Sequence, residues 1–339
     1  MLKRLSAVVA GALLIAGAAS AASLDLNNPT GSQGLVLIDK LGRYIRFFDP
    51  VSFKEISSFE VGVAPHDLAI SPDHKTAYVP IYGDGVYGRN PNPGHTIAII
   101  DLAGRKLAGT IDVSPYQAPH GIQIDAAGKL YVTCDLSRKL LVIDPKKKTI
   151  ETAIDTEGTG HWVAVLPDGS KAYVVNKNDR LFVTVIDLKT RKLVGRVQTP
   201  SGTQGIAASP DGKHVLVADY GEPSLLVIDT VKDVVTDKIA LQGNPKAAFK
   251  PRYSPDGTKI LVCGQSDGVV NILSASDPHG KQDVLKVGKD PMGFAISADG
   301  KTALVANHGD GTVSVIDLKE AKVVSTFKAG TGIETLSYF

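Results

Sequence analysis

The chain has 339 residues, 43% hydrophobic and 21% charged, with 34 Gly, 19 Pro and a formal net charge of +2. This composition excludes a disordered chain, a coiled coil and a collagen-like repeat, and the length suits one large repetitive β architecture. No basic field for nucleic acid or an anionic membrane is present, and Lys3 and Arg4, which account for the net charge, fall in a segment expected to be removed.

Residues 1–21 read as a secretory signal: a basic stretch over 1–6, an apolar run over 7–17 and the cleavage pattern Ala19-Ser20-Ala21. The apolar run is too short to span a bilayer, and no later stretch reaches roughly 18 apolar residues. A mature chain of about 318 residues is therefore expected in the periplasm or outside the cell, with an extension over 22–33 preceding a folded body over 34–339. Cys134 and Cys263 are the only cysteines, so no disulfide framework exists, and no C-x-x-C-H haem-attachment motif occurs.

Residues 34–61 contain three expected strands, over 34–38, 44–49 and 55–61. From there the chain repeats itself. Turns of the S-P-D-G type start at Ser71, Leu166, Ser209, Ser254 and Ser297, with a degenerate copy at Asp125, and successive starts lie 54, 41, 43, 45 and 43 residues apart. Six units begin near residues 62, 116, 158, 200, 243 and 288. Each runs as a short apolar strand, the turn, a strand such as Ala172-Tyr173-Val174-Val175-Asn176, a loop, and a V-x-V-I-D strand. Alternating β-branched residues argue for strands and the Gly/Asp/Pro clusters for hairpins; no segment has helical periodicity. Residues 330–339 match the first strand of the other units. Added to the three N-terminal strands they complete a seventh unit and close a ring, leaving only short protected edges.

The repeated Y-V-x-N followed by V-x-V-I-D, as over 172–187 and 303–317, resembles the YVTN-type seven-bladed β-propeller repeat family across nearly the whole mature chain. The resemblance implies an all-β, seven-bladed β-propeller closed by pairing of the C-terminal strand with the N-terminal outer strands. Such families include surface-layer proteins, lactonases, haem d1 proteins and simple binding modules, so function must be argued from the site.

In a propeller the first strand of each blade lines the central channel, and residues at one repeat position form a ring. Five residues before each turn stand His66, His120, His161, Gln204, Phe249 and Met292, with Glu334 at the analogous place in the terminal strand. His95 and His308, in loops between second and third strands, are expected on the same face. Neutral imidazole and carboxylate are ligands for zinc, copper, iron or nickel, so His66, His120, His161, Glu334, His95 and His308 are the candidate metal ligands. His66, His120 and His161 are also candidate catalytic groups as acid, base or electrophile, and Arg252 as holder of an anionic substrate. Residues 82–95 form the longest loop and a candidate lid. Tyr116, Trp162 and Tyr220 are candidate walls. Cys134 beside Asp135 is a candidate nucleophile, with an inert buried thiol as the plainer reading. Cys134 and Cys263 fall nearly across the ring, too far apart to bridge.

The leading expectation is a small polar molecule bound at a His-rich channel mouth and processed by a divalent metal, with lactone or ester hydrolysis the specific reaction. A non-catalytic protein holding a periplasmic partner is the alternative. Tetrapyrrole or redox-cofactor binding through an axial His is the third. A monomer is expected.

Overall fold

The computed structural model describes residues 32–339 except 178 and 245. The expected signal peptide, and all of the extension except residues 32 and 33, lie outside the described residues. Seven four-stranded antiparallel sheets follow one another in a ring, and each is numbered here as a blade. Blades 2 to 7 are each one continuous stretch, beginning with inner strands Ala69–Ile70, Pro119–Ile124, Val163–Val165, Thr203–Ala208, Pro251–Tyr253 and Pro291–Ile296. Blade 1 takes its inner strand, Ile333–Tyr338, from the C-terminus and its other three, Leu35–Asp39, Tyr44–Phe48 and Glu55–Glu60, from the N-terminus. Leu35 pairs with Tyr338 and Leu37 with Leu336, which closes the ring.

The repeat motifs have direct mechanical roles. In the turn of blade 5, Ser209 Oγ donates to Asp211 Oδ1 at 2.6 Å and accepts from the His214 N–H at 3.0 Å. The fourth turn residue, Gly212, sits at φ 70°, a left-handed conformation that glycine adopts without a Cβ clash. The Asp ending V-x-V-I-D caps the next hairpin: Asp229 Oδ1 accepts from the Val231 and Lys232 N–H groups at 2.9 and 2.8 Å. Between blades the strands bury both faces. Val36, Ile38 and Phe47 of blade 1 pack on Ala77, Val79 and Ile100 of blade 2, and Leu140 and Val142 of blade 3 on Ala172 and Val174 of blade 4. Each fully buried side chain of this kind contributes about 1.5–3 kcal/mol. Among the described residues the only helix is the 3₁₀ turn Gln265–Asp267, and no helix is long and apolar enough to cross a membrane.

Candidate functional site

The ring inferred from the repeat forms around one end of the channel. Glu334 Oε1 lies 3.6 Å from His66 Nδ1, the His66 and His120 rings are 3.8 Å apart between centroids, and those of His120 and His161 are 4.3 Å apart. Trp162 follows, 4.1 Å from His161 and 5.3 Å from Phe249. All these side chains are buried. Glycine makes the approach close enough: a Cβ on Gly121, next to His120, would stand 2.7 Å from the His161 carbonyl oxygen.

Hydrogen bonding fixes the imidazoles. His120 Nδ1 donates to the His161 carbonyl at 3.2 Å and His161 Nδ1 to the Gln204 carbonyl at 3.4 Å, so each keeps a lone pair on Nε2. The Lys40 ammonium donates to His66 Nε2 at 2.9 Å, leaving the His66 proton on Nδ1, toward Glu334. Burial holds all three histidines well below the usual imidazole pKa, reinforced by Lys40, Lys177, Lys250 and one another. The ring is therefore neutral at physiological pH. Glu334 also accepts from Lys40 at 3.5 Å and lies 3.3 Å from His308 Nδ1 without a hydrogen bond to it. Lys177 stands 4.8 Å over the Tyr87 ring and Lys250 4.6 Å over Trp162. Five buried polar atoms here have no hydrogen-bond partner: His66 Nδ1, His120 Nε2, Trp162 Nε1, Gln204 Oε1 and His308 Nδ1. Each such atom costs about 1–3 kcal/mol, so their gathering at one place is a feature of the fold that asks for an explanation.

The expected loop over 82–95 is instead the end of a long hairpin, Thr76–Val86 with Arg89–Asp101. It covers the ring. Tyr87 lies edge-on to His161 at 4.6 Å and donates to Thr159 Oγ1 at 2.8 Å, while Tyr82 lies edge-on to His120 at 5.4 Å. Asp135 ties the hairpin down, accepting from Tyr82 Oη at 2.7 Å and the Gly88 N–H at 3.3 Å. Burial raises the Asp135 carboxyl to about 6, against the hydrogen bonds it accepts.

Two expectations need correction. His95 does not reach the ring: it lies in the hairpin stem, with Nδ1 bonded to the Tyr116 carbonyl at 3.0 Å, because strand pairing continues where a loop was expected. The four-ligand metal sphere does not form: neighbouring imidazoles lie tilted at 42° and 35° to one another, and no three His, Cys, Asp or Glu donors among the described residues converge as a metal site. The Cys134 thiol, like that of Cys263, is free and buried, and burial pushes its pKa up, as the plainer reading has it. Arg252 faces the channel beyond Lys250, near Asp67. Tyr220 is 43% exposed, at the edge of the site, and Tyr116 packs in the core between blades 2 and 3. Lys40, Lys177 and Asp135 went unread in the sequence. Lys40 and Lys177 follow Asp39 and Asn176 at the repeat position where His308 follows Asn307, and that alignment carries the signal.

Residues 127–252 match the Cytochrome D1 heme domain family. The chain is 28% identical over 146 residues to the Seven-bladed beta-propeller protein Rv1057 of Mycobacterium tuberculosis, 41% of this chain and 36% of that protein. It is 24% identical over 278 residues to the Uncharacterized protein YncE of Salmonella typhi, 79% of this chain and 76% of that one. It is 22% identical over 333 residues to Antigen Lp49 of Leptospira interrogans, covering 89% and 68%. Among solved structures, Kuenenia stuttgartiensis Hydrazine Synthase superposes with TM-score 0.69 at 21% identity, covering 80% of this chain and 89% of that one. At that identity the likeness concerns the fold.

Proposed function

We propose that this seven-bladed β-propeller binds a metal-bearing redox cofactor of the tetrapyrrole class at the histidine end of its channel, where an imidazole Nε2 would hold the metal. The pair His120 and His161 carries the reading. A neutral imidazole whose Nδ1–H is held by a main-chain carbonyl is the usual arrangement of a metal-ligating histidine, and His120 Nε2 is buried with no other partner. The donor chemistry fits. Tyr82, Tyr87, Trp162 and Phe249 offer flat apolar surface, and Lys40 and Lys177 offer cations to acidic substituents. The stretch matched by the Cytochrome D1 heme domain contains His161, Lys177 and Lys250. Such a group, when bound, supplies electron transfer. The chain's part is to ligate it, keep water out beneath the tyrosine hairpin and set the local charge.

Titration of the purified protein with haem tests this by absorption. One equivalent is expected to give a shifted Soret band, lost in His120→Ala and His161→Ala variants that remain folded. Equal spectra from wild type and both variants would sink the proposal. Lactone or ester hydrolysis at a metal-bound water stands second, because it requires three or more converging donors. Esterase activity dependent on added zinc, copper, iron or nickel and abolished by His120→Ala would reverse that order. A scaffold role predicts that neither haem nor metal alters the melting temperature. Residues 1–21 support export to the periplasm, and the YVTN assignment rests on the repeats quoted above. N-terminal sequencing of the protein from a periplasmic extract, expected to begin at Ala22, checks the export reading.

A further inference from the structure

Beyond the histidine ring, the channel holds an unneutralised positive charge. The cavity there has a volume of about 550 Å³ and takes lining residues from all seven inner strands. Val163, Val165, Ile206, Phe294 and Ile296 give it apolar walls. Lys250 and Arg252, two residues apart across the start of strand Pro251–Tyr253, both line it. Lys250 Nζ stands 3.7 Å from Asp67 Oδ1, and Asp67 Oδ2 also accepts from the Ile122 N–H at 3.4 Å. Among the described residues the Arg252 side chain makes no hydrogen bond and no ion pair. It is open to channel water, and Asp67, the carboxylate that acts on it, is engaged by Lys250. Its guanidinium is therefore free to take an anion that enters the channel.

We infer that Arg252 is the receptor for a small amphipathic monocarboxylate, its carboxylate on the guanidinium and its apolar body along Val163, Val165, Ile206, Phe294 and Ile296. The planar fork of a guanidinium matches a carboxylate in two parallel hydrogen bonds. A multiply charged anion suits the place less well, because Asp67 takes up Lys250 and leaves one free cation.

The test is calorimetric titration of cofactor-free protein with octanoate, beside inorganic phosphate. Wild type is expected to bind one octanoate saturably, and Arg252→Gln at least about tenfold more weakly, a loss in the range of a charged hydrogen-bonded pair. Arg252→Lys keeps the charge without the fork and should fall between them. Melting curves separate binding from structure: without octanoate, Arg252→Gln should melt close to the wild-type temperature, and octanoate should raise the wild-type value alone. Absence of saturable octanoate binding, equal affinity in Arg252→Gln, or tighter binding of phosphate overturns the inference. Failure of the haem titration leaves it standing, since no cofactor takes part.

Discussion

The tie between the hairpin and blade 3 allows a quantitative test through Asp135. Its side chain is fully buried, and burial raises its pKa from 3.8 to about 6, although Tyr82, Gly88, Leu136 and Lys177 all favour the charged form. At about 1.4 kcal/mol per tenfold change in proton affinity, this displacement is worth about 3 kcal/mol. The sign follows from linkage. The folded protein holds this proton more tightly than the unfolded chain, so the contribution is fully present below pH 3.8 and is lost as pH rises through about 6. Asp135→Asn removes the titration while keeping an acceptor for the Tyr82 hydroxyl. Other groups titrate in both proteins, so the informative quantity is the difference between them. Between pH 8 and pH 4 that difference should move in favour of wild type by about 2.4 kcal/mol, or about 4 °C in melting temperature for a chain of this size. Scanning calorimetry at five pH values across this range measures it. A flat difference, or one moving toward wild type at high pH, would show that the hydrogen bonds outweigh burial and that the tie is an ordinary carboxylate.

Two further outcomes follow from the same contacts. Tyr87→Phe removes the bond to Thr159 and should loosen the hairpin tip by about 1 kcal/mol, read as faster amide exchange around Gly88 with the other blades unchanged; unchanged exchange would mean that ring contacts alone hold the tip. Leu336→Ala, in the closing strand and packed with Ala295 and Leu304 of blade 7, should cost about 2–5 kcal/mol by denaturant unfolding. A cost below about 1 kcal/mol would mean that closure of the ring adds little to stability.

The repeat phase made the architecture and the central histidines legible. Because each turn ends an inner strand in the same register, counting back from it identifies residues that the fold sets beside one another, and the row of His66, His120 and His161 against Glu334 is the result. His95 was misplaced because Gly83, Gly85 and Gly94 read as loop residues, whereas their lack of a Cβ lets the two hairpin strands approach: a Cβ on Gly85 would lie 2.5 Å from Asn90 Cα. The converging donor sphere failed for a different reason. Sequence register fixes which residues are neighbours but leaves ring planes free, and close inner strands set the imidazoles side by side at a tilt in place of pointing them at one centre. Lys40 and Lys177 follow the ends of second strands at the repeat position of His308, and Asp135 stands one place earlier, at the position of Asn176 and Asn307.

Contact between residues 33–34 and Phe339 makes the ring of sheets effectively continuous. The Gln33 and Gly34 N–H groups both point to the Phe339 carbonyl, Gln33 at 2.6 Å, and Phe339 donates back to Gly34. A short peptide joining the two ends, with a new opening cut between any other pair of blades, would preserve every strand pairing and merely relocate the seam. Such permutants separate two roles that coincide in the natural chain: blade 1 supplies Glu334 and Lys40 to the histidine end and also carries the break in the ring. With the break moved elsewhere, those two groups would belong to an uninterrupted sheet, and any change in ligand binding would report how far fraying of the joint reaches into the receptor.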